Sequence, residues 1–311
     1  MLQYTEFTQK ITEAYTSLAS SIIDKERDEK ECIDAFREVV KISIPFANGL
    51  MTNKDWRGLW GKYQQRTKDI LQNPVALNNC YYFIDYALVF ADNRTSEEDK
   101  LQVYKLFDAF DNTIQALNDI IQADDALIKK FQKRLDKKIK AAITDGPGKA
   151  DSSNNSSFKN YVNEIAFFNH VANLQEISLL EIETSLPNGK KADFQLSCGD
   201  KICLVDTMTI HNTTEQDDIN RFVEGKVNDK FSSKTDGIED DSILGQFRVL
   251  PIIELNDDRL LNYVPKLPID KCFPPMISFI GEIEGENQII LLQLPLSEDI
   301  RNQLTSNNEN N

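Results

Sequence analysis

The sequence is poor in the residues that build disulfide frameworks and zinc sites. Its 311 residues include five cysteines and two histidines, and the cysteines are widely scattered with no CxxC pair. A structural zinc site of the Cys/His type is therefore not expected, and the cysteines are predicted to be reduced thiols. The chain also lacks an apolar run near the ~20 residues that cross a bilayer, and its N-terminus lacks the features of a secretion signal. These absences predict a cytoplasmic protein.

Positive charge is scarce as well. The chain has 35 lysine and arginine residues against 50 acids, which gives a net charge of −15. A uniformly acidic surface repels phosphate groups, so nucleic-acid binding requires a local basic patch. One such patch is KKFQKRLDKKIK at residues 129–140, where the candidate contacts are Lys133, Arg134, Lys137 and Lys138. A solvated helix face is the simpler explanation of this run.

Residues 1–143 carry the apolar spacing of helices. In the last of these segments, Phe131, Leu135 and Ile139 recur in steps of four, which gathers apolar residues on one face and leaves the basic residues facing outward. The next stretch, TDGPGKADSSNNSS at residues 144–157, combines glycine and proline with a run of serine and asparagine. That composition is typical of a linker, and it divides the chain in two.

The second half mixes helices with β-strands. The segment FKNYVNEIAFFNHVANL is helical in spacing, and strands are predicted at ISLLEIET, ADFQLS, KICLVDTMTI, FRVLPIIEL, MISFIGEI and NQIILLQL. A polar helix is predicted at about residues 214–234, after the third strand, which itself has the apolarity of a strand buried on both faces. The expected fold is α+β overall, with an all-helical domain over 1–143, a linker over 144–157, an α/β domain with a mixed central sheet over 158–297 and a polar tail over 298–311.

Two aspartates lie on adjacent predicted strands. Asp193 is in ADFQLS, Asp206 is in KICLVDTMTI, and the short polar turn between the two strands predicts a hairpin. A buried carboxylate is costly unless it is paired or bound to a metal, so Asp206 requires a partner. Two carboxylates on a rigid sheet form an oxygen-rich site that suits Mg²⁺ or Mn²⁺. Such a metal lowers the pKa of a bound water and stabilises charge on a phosphate.

This arrangement resembles the PD-(D/E)xK nuclease superfamily, which includes many restriction and repair endonucleases. Asp193 matches the first acid of the family's motif, Asp206 matches the second, and Glu164 in YVNEIAFF matches a glutamate on the preceding helix. The resemblance covers about residues 158–255. It implies a restriction-endonuclease-like core, with these three acids as metal ligands and catalytic residues. It also implies metal-dependent hydrolysis of phosphodiester bonds in DNA or RNA.

The sequence departs from the family's pattern at two positions. Ala192 precedes Asp193 where proline is common, and Met208 occupies the position of the family's lysine. Methionine cannot orient the attacking water or offset charge in the transition state. Similar families supply that lysine from the helix after the third strand, and here this helix offers Lys226 and Lys230, one turn apart. Lys226 is favoured because it is nearer the middle of the helix.

Simpler explanations exist for each candidate residue. Asp193 is also explained as a surface acid at the start of a strand, and Asp206 as a buried acid hydrogen-bonded to a neighbouring element. Glu164 fits the polar face of its helix, and the two lysines fit an exposed helix face. His211, just past the third strand, is more simply a loop histidine than a contact for metal or phosphate.

Two other functions compete with the nuclease. The fold is compatible with a binding or assembly module that has lost catalysis, which the acidic charge and Met208 both favour. A lysine amine close to Asp193 and Asp206 favours the enzyme, whereas an apolar shell around Met208 without a basic group in reach favours the module. In the third interpretation the helical half is the functional part and the α/β half is its scaffold.

Overall fold

The structure is a computed structural model that describes residues 2–24, 28–73, 75–148, 157–174, 177–198, 201–268, 270–283 and 286–293. The chain forms two compact units, and neither is continuous in sequence. The helical unit consists of Met1–Ala116 and Ile139–Phe158, and the α/β unit consists of Leu117–Lys138 and Lys159–Asn311. No helix within the described ranges is both long and apolar enough to cross a membrane.

The N-terminal part of the chain is helical, as the apolar spacing predicts. Its helices are α1 (Tyr4–Ile23), α2 (Glu29–Ser43), α3 (Pro45–Gly49), α4 (Asn53–Gln72), α5 (Phe83–Ala91), α6 (Glu97–Gln122) and α7 (Ala126–Asp145). Phe7, Ile11, Ala14 and Leu18 of α1 show how residues at three- and four-residue steps become buried together. Helix α4 begins at a capping box, in which Thr52 and Asp55 exchange hydrogen bonds and satisfy free N–H groups of the first turn.

Aromatic side chains form much of the core of the helical unit. The rings of Phe36 and Trp60 meet edge to face with centroids 5.5 Å apart. Asp85 of this unit is fully buried, and its carboxylate is paired because it accepts a hydrogen bond from Nε of Arg66 at 3.1 Å. This aspartate is explained by the packing of the helices and needs no ligand.

The α/β unit contains the six predicted strands. They are β1 (Ile177–Ser185), β2 (Lys191–Cys198), β3 (Lys201–Ile210), β4 (Phe247–Glu254), β5 (Met276–Ile283) and β6 (Glu286–Gln293). Helix α8 (Ser157–Ala172) precedes β1, and α9 (Ile219–Thr235) lies between β3 and β4. The short helix α10 (Asp241–Gln246) is an element that the sequence pattern did not predict. The predicted order of helix, three strands, helix and three strands is therefore confirmed.

The strands form one mixed sheet in the order β1 to β6. Strands β1, β2 and β3 are antiparallel neighbours, β3 and β4 run parallel, β4 and β5 run parallel, and β6 is antiparallel to β5. The predicted β2–β3 hairpin is confirmed, with Phe194 paired to Val205. Parallel neighbours require a crossover connection, and α9 with α10 provides it between β3 and β4.

Helices α8 and α9 cover opposite faces of β3. Leu204 of β3 belongs to an apolar cluster with Val223 and Val227 of α9. Asn163 of α8 donates a hydrogen bond to the hydroxyl of Thr209 at 2.9 Å. Because successive side chains of a strand alternate between faces, Asp206 shares the face of Leu204, toward α9.

Only part of the predicted linker at 144–157 can be described. Helix α7 continues to Asp145 and α8 begins at Ser157, while residues 149–156 lie outside the described residues. The predicted polar tail at 298–311 also lies outside them.

Candidate functional site

The two candidate aspartates are neighbours across the β2–β3 hairpin. They lie one position beyond the paired residues Phe194 and Val205, on adjacent antiparallel strands. Asp206 is fully buried at 0 % exposure, whereas Asp193 is partly exposed. Oδ2 of Asp193 accepts hydrogen bonds from the backbone N–H of Thr207 at 2.8 Å and from its hydroxyl at 2.7 Å. The hairpin thus brings together the two acids selected from the sequence.

Two lysines of α9 approach the buried aspartate. Lys234 Nζ donates a hydrogen bond to Oδ1 of Asp206 at 2.7 Å, and Lys230 Nζ lies 3.0 Å from Oδ2 in an ion pair. Lys226 instead lies over the ring of Phe222, with Nζ 5.6 Å from the centroid, and it forms no ion pair with Asp206 in the described structure. The preference for Lys226 is therefore corrected in favour of Lys230.

The sequence-based prediction missed Lys234, although its signal was present. Lys226, Lys230 and Lys234 are each four residues apart, so they follow one face of α9 toward its C-terminus. The Nζ atom of Lys234 also donates to the carbonyl of Lys191 in β2 at 2.7 Å. Extending the lysine row by one turn would have identified the second amine beside Asp206.

Glu164 of α8 is the third candidate acid, and its partner is Lys138 of α7. Burial and the negative charge of Asp193 raise the pKa of Glu164 to about 7, although the ammonium of Lys138 opposes the shift. Burial and the charge of Asp193 also raise the pKa of Asp206 above its usual range, against the effect of its two lysine partners. The three carboxylates therefore repel one another, as expected where negative charge is concentrated.

The basic run of α7 divides into paired and exposed residues. Lys138 is 8 % exposed and pairs with Glu164, so the expectation that it faces outward is wrong. Arg134 is half-buried and donates to a carboxylate and a carbonyl oxygen of β1. Lys133 and Lys137 are exposed, as expected. The periodicity of four alone does not separate these two classes, because α7 packs against the sheet through more than its apolar stripe.

A fourth acid, Glu183 of β1, borders this cluster and was missed. Its φ of 57° lies in the left-handed region, which is unfavourable for a residue with a β-carbon. Its place in the β1–β2 pairing falls opposite Asp193, and its carboxylate lies 3.3 Å from Lys191 and 3.8 Å from Lys138. A left-handed glutamate within a strand leaves no signature in the sequence.

Met208 has an apolar shell and Asp206 has lysines in reach, although these two features were expected to be alternatives. The side chain of Met208 packs against the apolar cluster of the sheet and α9, so position 208 supplies no positive charge. Basic groups are nonetheless in reach of Asp206, because α9 delivers them. His211 lies at the end of β3, with Nδ1 2.6 Å from Oε2 of Glu254, and Glu254 also pairs with Lys159. These contacts explain His211 without a ligand.

The carboxylate oxygens of the site are of the chemical type that hard divalent cations prefer. Asp193 and Asp206 supply carboxylate oxygens, and the buried Oδ2 of Asp206 accepts no hydrogen bond from the described residues, although Lys230 Nζ lies 3.0 Å from it in an ion pair. Mg²⁺ in proteins is often held by one or two carboxylates, with water and phosphate completing its shell. Within the described residues, no three Asp, Glu, His or Cys side chains are grouped so as to hold a metal jointly. The role of Glu164 as a third ligand therefore stays a prediction.

Comparison with known proteins identifies no relative. No protein-family model, no curated protein and no solved structure matches this chain. Function is therefore inferred from the geometry and chemistry of the described residues.

Proposed function

We propose that this chain is a metal-dependent nuclease of the PD-(D/E)xK type, which hydrolyses phosphodiester bonds of DNA or RNA with Mg²⁺ or Mn²⁺. One observation carries the proposal. Asp193 and Asp206 are neighbours on two strands of a mixed sheet, and the amines of Lys230 and Lys234 lie 3.0 and 2.7 Å from the Asp206 carboxylate. Acids and amines at such spacing supply the groups that the family's chemistry needs.

The topology supports a restriction-endonuclease-like core. Helix α8, the antiparallel strands β1 to β3, helix α9 and the parallel strand β4 follow one another in the order of that superfamily. The β2–β3 hairpin carries one acid on each strand, as the motif requires.

In the proposed reaction, Asp193 and Asp206 would hold the cation, which would supply a water of lowered pKa and offset charge on the phosphate. Lys230 and Lys234 place positive charge where the phosphate becomes more negative in the transition state. They replace the lysine that Met208 cannot supply. Lys138 neutralises Glu164 and limits the repulsion between that carboxylate and Asp193.

A binding module without catalysis is the second candidate. The observation that favours it is the pairing of the acids with lysines, since a fold that no longer binds metal needs its buried carboxylates neutralised. The net charge of −15 also favours partners other than nucleic acid.

Cleavage assays distinguish the two candidates. Purified protein is incubated with Mg²⁺ or Mn²⁺ and with labelled single- and double-stranded DNA and RNA. We expect cleavage that falls by at least about 100-fold in Asp206→Ala, because removing an electrostatic group of an active site costs on the order of 10²–10³ in rate. Lys230→Met and Lys234→Met should each reduce it by about tenfold or more.

Lys226→Met is the matched comparison, because it removes the same charge from the same helix without touching Asp206. Its effect should be at least about tenfold smaller than that of Lys230→Met. Absence of cleavage under all conditions, or cleavage undiminished by Asp206→Ala, would favour the binding module instead.

A further inference from the structure

The carboxylates of the proposed metal site are already neutralised by ammonium groups of the protein. Both oxygens of Asp206 have a lysine beside them, since Lys234 donates to Oδ1 and Lys230 lies 3.0 Å from Oδ2. Glu164 is paired in the same way with Lys138, which is buried. Three lysines therefore stand where positive charge from a cation is otherwise expected.

A divalent cation and these ammonium groups compete for the same oxygens. Inner-sphere binding at Oδ2 of Asp206 places the cation within a few ångströms of Lys230, where the two positive charges repel each other strongly in a site of low polarity. A phosphate group has the opposite effect, because it attracts the ammonium groups and releases the carboxylate. The two ligands thus act on the same lysines in opposite directions.

The backbone of α9 is held at its C-terminal end, whereas the side chains of Lys230 and Lys234 are partly exposed. Asn188 donates hydrogen bonds to the carbonyls of Lys234 at 2.8 Å and of Asp236 at 2.9 Å, which hold the C-terminal end of α9. The side chains of Lys230 and Lys234 retain 32% and 23% exposure, so rotation toward solvent does not require unfolding of the helix.

We propose that Lys230 and Lys234 act as a built-in counter-charge that must leave Asp206 before a divalent cation binds, so that the cation and a phosphate-bearing polyanion bind cooperatively. This regulation rests on the proposed nuclease function, because it assumes that Asp206 is a metal ligand. Linkage makes the effect reciprocal: the polyanion strengthens cation binding by the same factor by which the cation strengthens polyanion binding. The cation alone binds weakly, and the site is completed only when the polyanion is present.

The first test measures cation binding without polyanion. Mn²⁺ is titrated into the full-length wild type and into Lys230→Met and Lys234→Met, and free Mn²⁺ is followed by electron paramagnetic resonance. Each variant keeps the other lysine on Asp206, and far-UV circular dichroism verifies its fold. We expect the dissociation constant for Mn²⁺ to fall by about fivefold or more in each variant, the range of typical coupling between sites. Lys266→Met removes an exposed charge elsewhere in the α/β unit and should change it by less than about twofold.

The second test measures the reciprocal effect. The affinity for a short fluorescein-labelled DNA duplex is measured by anisotropy in EDTA and in Ca²⁺. Ca²⁺ should tighten wild-type binding by about fivefold or more, and Asp206→Asn should abolish the difference.

The outcomes separate this proposal from the function on which it rests. If Asp206→Asn weakens Mn²⁺ binding but neither lysine variant tightens it, the counter-charge proposal is overturned and the nuclease proposal stands. If Asp206→Asn binds Mn²⁺ as well as the wild type, Asp206 is no metal ligand and both proposals are overturned.

Discussion

Asp206 is a carboxylate among apolar residues of β3, and its surroundings explain how the strand tolerates it. Two ammonium groups from α9 offset the loss of hydration, and Asp193 on the neighbouring strand is held by Thr207. The same pairing makes Asp206 dependent on residues far away in sequence. Removing both ammonium groups would leave the charge of Asp206 buried without compensation, which is among the larger destabilising effects known.

Glu164 gives the stability of the protein a distinctive pH dependence. Its pKa in the folded state is about 7, above its ordinary value of 4.5, so between those pH values the folded state binds more protons than the unfolded state. This group therefore favours folding at low pH, and its contribution declines as pH rises toward 7, by at most about 1.4 kcal/mol per pH unit. Glu164→Gln removes that decline. Urea unfolding from pH 5 to 8 should show the stability of the variant relative to wild type increasing with pH, and a constant difference would contradict the assignment.

Lys138 is predicted to matter more for stability than its exposed neighbour. Lys138→Met leaves Glu164 buried beside Asp193 without its ion-pair partner and should lower the free energy of unfolding by about 3 kcal/mol. Lys137→Met removes the same charge from the adjacent, exposed position and should change the free energy of unfolding by less than about 0.5 kcal/mol. Denaturant midpoints of the two variants provide the comparison, and equal midpoints would show that Lys138 is not a buried partner in solution.

At the scale of secondary structure, α7 and α9 each deliver lysine side chains to acids of the α/β unit. Helix α9 brings its last two lysines to Asp206, and α7 brings Lys138 to Glu164. Helix α7 also keeps Lys133 and Lys137 exposed on its other side. One helix thus has a buried row that neutralises acids and an exposed row that remains available to a polyanion.

The exposed row of α7 is expected to contact a nucleic-acid backbone. Lys133→Glu with Lys137→Glu should weaken binding of DNA or RNA to a similar degree for different sequences and should lower the slope of affinity against salt, because phosphate contacts release counterions. The control is Lys10→Glu with Lys41→Glu, two exposed lysines of the helical unit that change the total charge equally. Fluorescence anisotropy over a range of salt concentrations measures both effects, and equal losses in the two variants would attribute them to total charge.

At the scale of the whole molecule, the chain passes from the helical unit into the α/β unit within α6 and returns within α7. Residues Leu117–Lys138 belong to the α/β unit, although the residues that follow them, Ile139–Phe158, belong to the helical unit. A boundary drawn in the region 144–157 therefore separates Arg134 and Lys138 from the strands and helix that they contact.

Truncation tests whether residues Leu117–Lys138 stabilise the α/β unit. A fragment of residues 157–311 lacks both α7 side chains, whereas a fragment of residues 117–311 keeps them. The longer fragment is expected to have the higher melting temperature, by at least about 5 °C, since the loss of a buried ion-pair partner costs a few kcal/mol. Circular dichroism melting measures it. A shorter fragment at least as stable as the longer one would show that α7 is dispensable to the sheet.

Much of the fold could be predicted because its signals are local. Six strands and their flanking helices follow from apolar spacing, and the acid within KICLVDTMTI identifies Asp206. Lys234 was within reach of the same reasoning. The pairing of Lys138 with Glu164 and the left-handed Glu183 were not, because they depend on how distant elements pack and on one backbone torsion. The restriction-endonuclease-like core and its activity stay predictions.

The position of strand β1 bears on how this protein resists aggregation. This strand lies at the edge of the sheet, and the side chains of Lys130 and Arg134 donate to the carbonyls of Leu180 and Ile182. An open strand edge is a template on which a second chain can add a strand, and such addition begins aggregation. Long cationic side chains on these carbonyls obstruct that template. Detachment of α7, even without loss of the sheet, is therefore the step at which we expect aggregation to start.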